Sequence, residues 1–205
     1  NLRFNDDRTV KVNFVEEGAG YKNTLGMYTV EADGTLSNVQ ILAENLSGTG
    51  QGVYGGGSFN AGDLLAELEV SAGTEIGFFI VANGFNRNRG YDRTDLENGT
   101  LEFRTRRNGD LSEIDDNKAK LFFIDDETGR EIKIKGDIWH ASSTSLNKDG
   151  KVHSVTGELE EGTLTLGFED LRNLGDADFN DVVIELEVSP TVDFMLDDVA
   201  IAADI

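Results

Sequence analysis

Glu169, Asp170, Asp176, Asp178 and Asp181 fall within thirteen consecutive residues, with Asn180 among them. The apolar alternation Val182, Ile184, Leu186, Val188 comes directly after. Carboxylates at this density repel one another, and a cation is the simplest neutraliser. Every donor is an oxygen, which suits a hard ion such as Ca²⁺ rather than zinc or copper. The order Asp176, Asp178, Asn180 imitates positions 1, 3 and 5 of a helix–loop–helix calcium loop, and Glu187 falls at position 12. Its sixth position demands glycine, however, and Asp181 stands there. From Val182 onward the apolar residues recur every second position, as in a strand and not a helix. The helix–loop–helix motif is therefore rejected and the metal kept. The competing reading is a solvated acidic turn without an ion; charge density and the strand beside it favour the metal.

Three further constellations offer chemistry. Asn147-Lys148-Asp149-Gly150 lies between the chain's two histidines, His140 and His153. Such a set can bind zinc or run acid–base chemistry, but a tight hairpin turn with structural histidines is the favoured reading. Asn147 and Asp149 join the metal-ligand candidates. Gly52–Asn60, with Tyr54 and Gly56, can cradle a ligand on its backbone or serve as a plain turn. It lacks the lysine of a phosphate loop. Asn83–Arg93 is a long polar loop, and six of the ten arginines lie between Arg87 and Arg107. Arginine forks grip carboxylates. Arg87, Arg89, Tyr91 and Asp92 are therefore candidates for holding an anionic ligand, whereas Arg104 and Arg106 read as the wet face of a strand. No H-E-x-x-H and no G-x-S-x-G occurs. Nothing marks two carboxylates as a glycosidase's acid and partner, and no catalysis is expected.

The elements that must carry these residues are strands. Val10, Val12, Phe14 alternates. Met27–Val30 leads through Ala32-Asp33-Gly34 into Leu36–Leu42, a hairpin with a D-G turn. Ile76–Val81 reads as a strand buried on both faces. Leu101, Phe103 and Thr105 alternate with charge. Leu121–Ile124 and Ile132–Ile134 form a second hairpin, and Ile138–Ala141 and Lys151–Thr156 flank the histidine loop. Asp63–Val70 is open between a short helix and a strand. About a dozen short strands predict an all-β, calcium-stabilised antiparallel β-sandwich of jelly-roll-like form. One domain spans 1–189, and Pro190, the only proline, opens a linker or docked tail over 190–205.

The formal net charge is −21, with no cysteine. Such a surface disfavours nucleic acid and anionic membrane. No apolar run reaches the length of a membrane span, so membrane insertion is not expected.

Several of these runs also carry a resemblance. Glu17-Gly18-Ala19-Gly20-Tyr21-Lys22-Asn23-Thr24-Leu25-Gly26-Met27-Tyr28, Phe78-Phe79-Ile80 with Asn83-Gly84, and Ser145-Leu146-Asn147 with Asp149-Gly150 and His153 occur in order. Next come Gly167-Phe168-Glu169-Asp170-Leu171 and Gly175-Asp176 with Asp178-Phe179-Asn180-Asp181. Together, from about Val12 to Val188, they resemble a domain formerly of unknown function in very large bacterial surface proteins, including repeats-in-toxin adhesins exported by type I secretion. The resemblance implies a calcium-dependent, extracellular β-sandwich near the ligand-binding tip, a monomeric domain within a larger chain that holds several Ca²⁺ ions. It implies Asp170, Asp176, Asp178, Asn180 and Asp181 as calcium ligands, and Asn147 and Asp149 less firmly. Similar domains bind short peptides by the C-terminal end; others in such tips bind sugars. Near Asn173-Leu174 the resemblance leads one to expect more glycine. The reading is a Ca²⁺-dependent binding module for peptides or protein C-termini on target cells. Its rivals are a sugar binder stacking rings on Tyr54, Tyr91 and Trp139, a passive extender, and a hydrolase.

Overall fold

The computed structural model describes residues 1–47, 58–91, 96–141, 143–160 and 162–190, and strands dominate it. In chain order they are β1 (Leu2–Arg3), β2 (Arg8–Glu16), β3 (Thr24–Val30), β4 (Leu36–Ala43), β5 (Leu64–Val70) and β6 (Glu75–Val81). After the single helical turn α1 (Gly84–Arg87) come β7 (Gly99–Arg104), β8 (Lys120–Asp125), β9 (Glu131–Lys133) and β10 (Ile138–His140). The last three are β11 (Ser154–Glu160), β12 (Thr163–Phe168) and β13 (Val182–Pro190). The open segment 63–70 is thus a strand. β5 lies at one edge of its sheet, and Glu67 and Glu69 are exposed there, as period-two alternation requires.

All pairings are antiparallel, and the sheets form a sandwich. One sheet has the order β11-β12-β13-β2-β5. The other runs β1-β6-β3-β4-β7-β8-β9, with β10 pairing the stretch of β6 that β1 leaves open. The first core lies between the sheets: Val10, Val12 and Phe14 meet Leu25, Met27, Phe78, Ile80, Leu166, Phe168 and Ile184. A second core forms on the opposite face of the larger sheet, from Tyr28, Leu36, Phe79, Val81, Phe103, Leu121 and Phe123. This explains why β6 is buried on both faces: Ile76, Phe78 and Ile80 serve one core, Phe79 and Val81 the other. β6 and β7 are three strand positions apart in the sheet, about 14 Å at the usual spacing. Yet the Phe79 and Phe103 rings lie 5.1 Å apart, so the sheet curls over its own second core.

Two features position the acidic stretch. Phe168 pairs with Val182 at the end of the β12–β13 ladder, so residues 169–181 leave and return at one point. The expectation of a hairpin across Asn147–Gly150 is corrected. β10 belongs to the larger sheet and β11 to the smaller, so this loop crosses between sheets instead of turning within one. The polar hydrogen-bonding needs of both strand ends are met by different neighbours, which is why local turn chemistry misleads here.

The second core belongs to the same cooperative unit as the first, since β3 and β6 line both. Phe103→Ala should cost about 3–5 kcal/mol, while Leu64→Ser, at a side chain 53% exposed, should stay within about 0.5 kcal/mol. Urea unfolding followed by tryptophan fluorescence and by far-UV dichroism checks both, with coincident transitions expected.

Candidate metal centre

Glu169 is the hub of the loop between β12 and β13. It is fully buried, yet its carboxylate sits in two groups of acids. One joins it to Asp170 and Asp181, the other to Asp176 and Asp178, and within each group the ligand oxygens lie within 4.8 Å of one another. Each group can hold a metal ion, with oxygen donors throughout. Glu169 Oε1 accepts from the Leu171 amide at 3.1 Å and Oε2 from the Ala177 amide at 3.1 Å. The loop is therefore wound around this carboxylate. Asp181 Oδ2 accepts from the Asp170 amide at 2.8 Å, which ties the loop's exit to its entrance.

Close approach of the chain to Phe179 and to Asn180 needs glycine. A Cβ on Gly167 would lie 2.5 Å from the Phe179 carbonyl oxygen, and one on Gly18 would lie 2.5 Å from Asn180 Oδ1. The Gly18 amide instead donates to the Asn180 carbonyl at 2.9 Å. Elsewhere the loop takes left-handed backbone without glycine. Asn173, Leu174, Ala177 and Phe179 have φ of 61°, 70°, 58° and 55°. Asn173 and Leu174 are where the resemblance leads one to expect glycine, and their backbone has the conformation glycine favours.

A buried polar layer holds the acids from behind. Asn23 Nδ2 donates to Asp170 Oδ2 at 2.6 Å, and the Trp139 indole N–H donates to the Asp170 carbonyl at 2.7 Å. Trp139 stacks on His153 with centroids 3.8 Å apart and planes 3° apart. The two ring nitrogens of His153 meet the Glu169 carbonyl at 2.9 Å and Asp149 Oδ2 at 3.0 Å. Asp149 Oδ2 also accepts from the Asn173 amide at 2.9 Å. Asn23 and Trp139 were not among the ligand candidates of the metal. The signal was a polar residue set just before an apolar strand within a motif that carries the resemblance.

The candidates now sort by position. Glu169, Asp170, Asp176, Asp178 and Asp181 come together, and Asn180 stays with them through its amide and side-chain N–H groups, which donate to Asp178. Asn147 and Asp149 do not join the cluster. Asn147 is buried, its Oδ1 accepting from the His140 amide and its Nδ2 donating to the His140 and Lys151 carbonyls. It mimics a strand partner, and Asp149 braces the loop through His153 and Asn173. The two histidines share no site. Trp139 faces the first core, so its neighbour His140 faces the second, among Tyr28, Phe79 and Phe103. Burial pushes its imidazole down to about 3. Arg87 and Arg89 are exposed on the turn around α1. Tyr91 is a core residue instead, only 3% exposed, with its hydroxyl donating to Thr24 Oγ1 at 2.8 Å. Trp139 is fully buried as well. Neither ring can stack on a sugar, because the apolar surface each would offer is already spent on packing. Tyr54, Gly56 and Asp92 lie outside the described residues, as does the tail after Pro190.

The acids are held close at an electrostatic cost. Burial, with Glu169 and Asp176 nearby, pushes the Asp170 carboxyl up to about 6 against an opposing hydrogen bond from Asn23. Burial, with Asp170 and Glu169, pushes Asp181 up to about 7. Both folded-state values exceed the ordinary 3.8, so between these limits the folded protein holds more protons than the unfolded chain. Without metal, this contribution to stability is fully present below about pH 4 and is lost as pH rises to about 7. Thermal melts in EDTA between about pH 4.5 and 7.5 should show a falling midpoint, with a shallower fall in Asp170→Asn; a flat or rising wild-type curve would contradict the clustering.

A family model described as a Domain of unknown function (DUF4114) matches residues 70–189. That span is more than half of the chain and contains the whole acidic loop, His153, Trp139 and the turn around α1. No curated protein and no solved structure matches the chain.

Proposed function

The chain belongs to the DUF4114 family, and we propose that this member is a Ca²⁺-dependent binding module of a large bacterial surface adhesin. Its target would be a short peptide or protein C-terminus on a neighbouring or host cell, met outside the producing cell after type I export. The observation that carries this reading is the buried carboxylate Glu169, shared by two acid groups whose hydrogen bonds shape the loop but leave its negative charge uncompensated. The donor set supports Ca²⁺: oxygen only, carboxylates of mixed burial, and neither histidine within the groups. Glu169, Asp170 and Asp181 would hold one ion, and Glu169, Asp176 and Asp178 another. When bound, Ca²⁺ neutralises the loop and can offer an open position to a carboxylate from outside.

The chain's own residues supply the rest. Asn23 and Trp139 keep Asp170 aimed into the cluster, while His153 and Asp149 brace the backbone at Glu169 and Asn173. The Asn83 amide donates to Asn23 Oδ1 at 2.9 Å, and Asn23 in turn donates to Asp170. The turn carrying Arg87 and Arg89 is thereby anchored to the acidic loop. Guanidinium groups suit a terminal carboxylate, and capture of such a terminus is a recurring recognition mode. The sugar reading loses two of its three aromatic platforms, since Trp139 and Tyr91 are buried. Extracellular calcium sites bind at about 10⁻⁴–10⁻³ M, so the loop would fill after export and stay mostly empty in the cytosol.

Two sites at ten times their Kd should add about 3 kcal/mol, raising the melting point by about 5–10 °C over EDTA. Asp170→Asn should raise the melting point in EDTA, by removing a repelled buried charge, and abolish most of the calcium response. Opposite signs in one variant separate ion binding from simple damage to the fold. A peptide library with free and amidated C-termini, alongside a glycan array, tests the partner. Retention of free C-termini only, lost in chelator, is expected, and binding confined to glycans ends the peptide reading.

A further inference from the structure

Asn23 is fully buried just before β3, and the two ends of its side-chain amide serve different parts of the molecule. Oδ1 accepts from the Asn83 amide at 2.9 Å, and Nδ2 donates to Asp170 Oδ2 at 2.6 Å. Turning the amide over would set Nδ2 against an N–H donor and Oδ1 against a carboxylate, so both bonds would fail together. Partners 60 and 147 positions away therefore fix a single orientation. The Asn23 carbonyl accepts from the Leu46 amide at 2.8 Å, which holds the backbone from which the side chain projects. Asn83 is where the turn around α1 begins: its backbone is left-handed, with φ of 52°, and its carbonyl accepts from the Arg87 amide at 3.0 Å. Other anchors tie the turn elsewhere. Asn88 bonds the main chain of Lys135 in both directions at 2.9 Å, and the Tyr91 hydroxyl donates to Thr24. These keep the turn on the fold whatever the acidic loop does, and Asn23 adds a dependence on Asp170.

Asp170 shares its group with Glu169 and Asp181, and repulsion among the three works against any one carboxylate keeping a fixed place. A cation that draws the three together removes that freedom, and a side chain bonded to Asp170 is fixed with it. We propose that Asn23 is a positioning residue that couples metal occupancy of the Glu169–Asp170–Asp181 group to the order of the turn bearing Arg87 and Arg89. The proposal rests on the calcium reading of the acidic loop and adds a regulation to it. With the ion bound, the turn is held; without it, the turn loosens at Asn83. No displacement is needed, because a change in the freedom of one buried amide is enough to link two sites. Linkage is reciprocal, so a carboxylate held by Arg87 and Arg89 strengthens ion binding in return. The arginine turn is then ready for a target only where calcium is plentiful.

Amide hydrogen exchange of the full chain, read by NMR in excess Ca²⁺ and in EDTA, tests the coupling. The Arg87, Asn88 and Gly90 amides, which donate to the carbonyls of Asn83, Gly84 and Phe85, report on the turn. The Leu171 and Ala177 amides, which donate to Glu169, report on the loop. In the wild type, Ca²⁺ should slow both sets by about fivefold or more, the lower end of ordinary coupling between sites. In Asn23→Ala, Ca²⁺ should still slow the loop amides, while its effect on the turn drops below about twofold. Asn23→Ser, whose shorter side chain cannot span both partners, is a second variant and should show the same loss. Asn88→Ala removes an anchor of the turn that does not touch Asp170. It should speed turn exchange with and without Ca²⁺ and keep the ratio between them, which separates coupling from general loosening. Slowing of the loop but not of the turn in the wild type overturns the coupling and leaves the calcium reading standing. An undiminished ratio in the Asn23 variants, or its equal loss in Asn88→Ala, also overturns the coupling. No effect of Ca²⁺ on either set in the wild type overturns both.

Discussion

Glu169, Asp170 and Asp181 hold carboxylate oxygens within 4.8 Å of one another at the end of a strand ladder. Two unit charges at that separation repel by about 1 kcal/mol in water and by about 3–4 kcal/mol at an effective dielectric near 20. A free loop would relieve this by spreading. This loop cannot, because Phe168 and Val182 are paired and the Asp170 amide donates to the Asp181 carboxylate across its base. The repulsion is therefore fixed by the sheet, and the loop's remaining geometry answers to it. Two of the acids respond by holding protons toward neutral pH, and a cation offers the other way out.

The scaffold behind the acids is built from groups that position without cancelling charge. Asn23 and the Trp139 indole are neutral donors aimed at Asp170. His153 and Asp149 brace the backbone behind them, through the Glu169 carbonyl and the Asn173 amide. The backbone adds strain. Leu174, Ala177 and Phe179 are not residues that favour positive φ, and each such conformation costs about 1 kcal/mol or more. Strain of this kind persists only where surrounding contacts over-determine it, and here the Gly18–Asn180 hydrogen bond, the passage of Phe179 over Gly167 and the two hydrogen bonds to Glu169 do so.

Strand identity was legible wherever alternation or a double-faced apolar run was strong, as in β2, β6 and the hairpins β3–β4 and β8–β9. The acids of the candidate centre were legible too, because they lie in one contiguous loop and local density marks them. The illegible parts depend on partners distant in the chain. Asn23 acts on Asp170, 147 positions away, and no local pattern encodes that pairing. Asn147 and Asp149 have the types and the neighbourhood of ligands, but strand ends from two sheets and a stacked histidine use their polar atoms first. Tyr91 and Trp139 sit in polar or mixed sequence that suggests exposure; the curl of the larger sheet and the crossing between sheets bury them. In each case the competing partner was supplied by topology.

Asp137 joins the acidic loop to Lys148, in the crossing between the sheets. One oxygen pairs with Lys148, and the other meets Arg172 at 3.2 Å, on the acidic loop itself. Neither contact is deeply buried, so each is individually weak. Their shared carboxylate still means that moving Arg172 changes the charge left over for Lys148. The Lys148 ammonium also stands over Trp139, and Trp139 donates to the Asp170 backbone. Two routes, one ionic and one through the indole, therefore run from the acidic loop to Lys148. A rearrangement of the acidic loop that displaced Arg172 would leave Asp137 to Lys148 alone, so the pairing at Lys148 depends on where the loop holds Arg172.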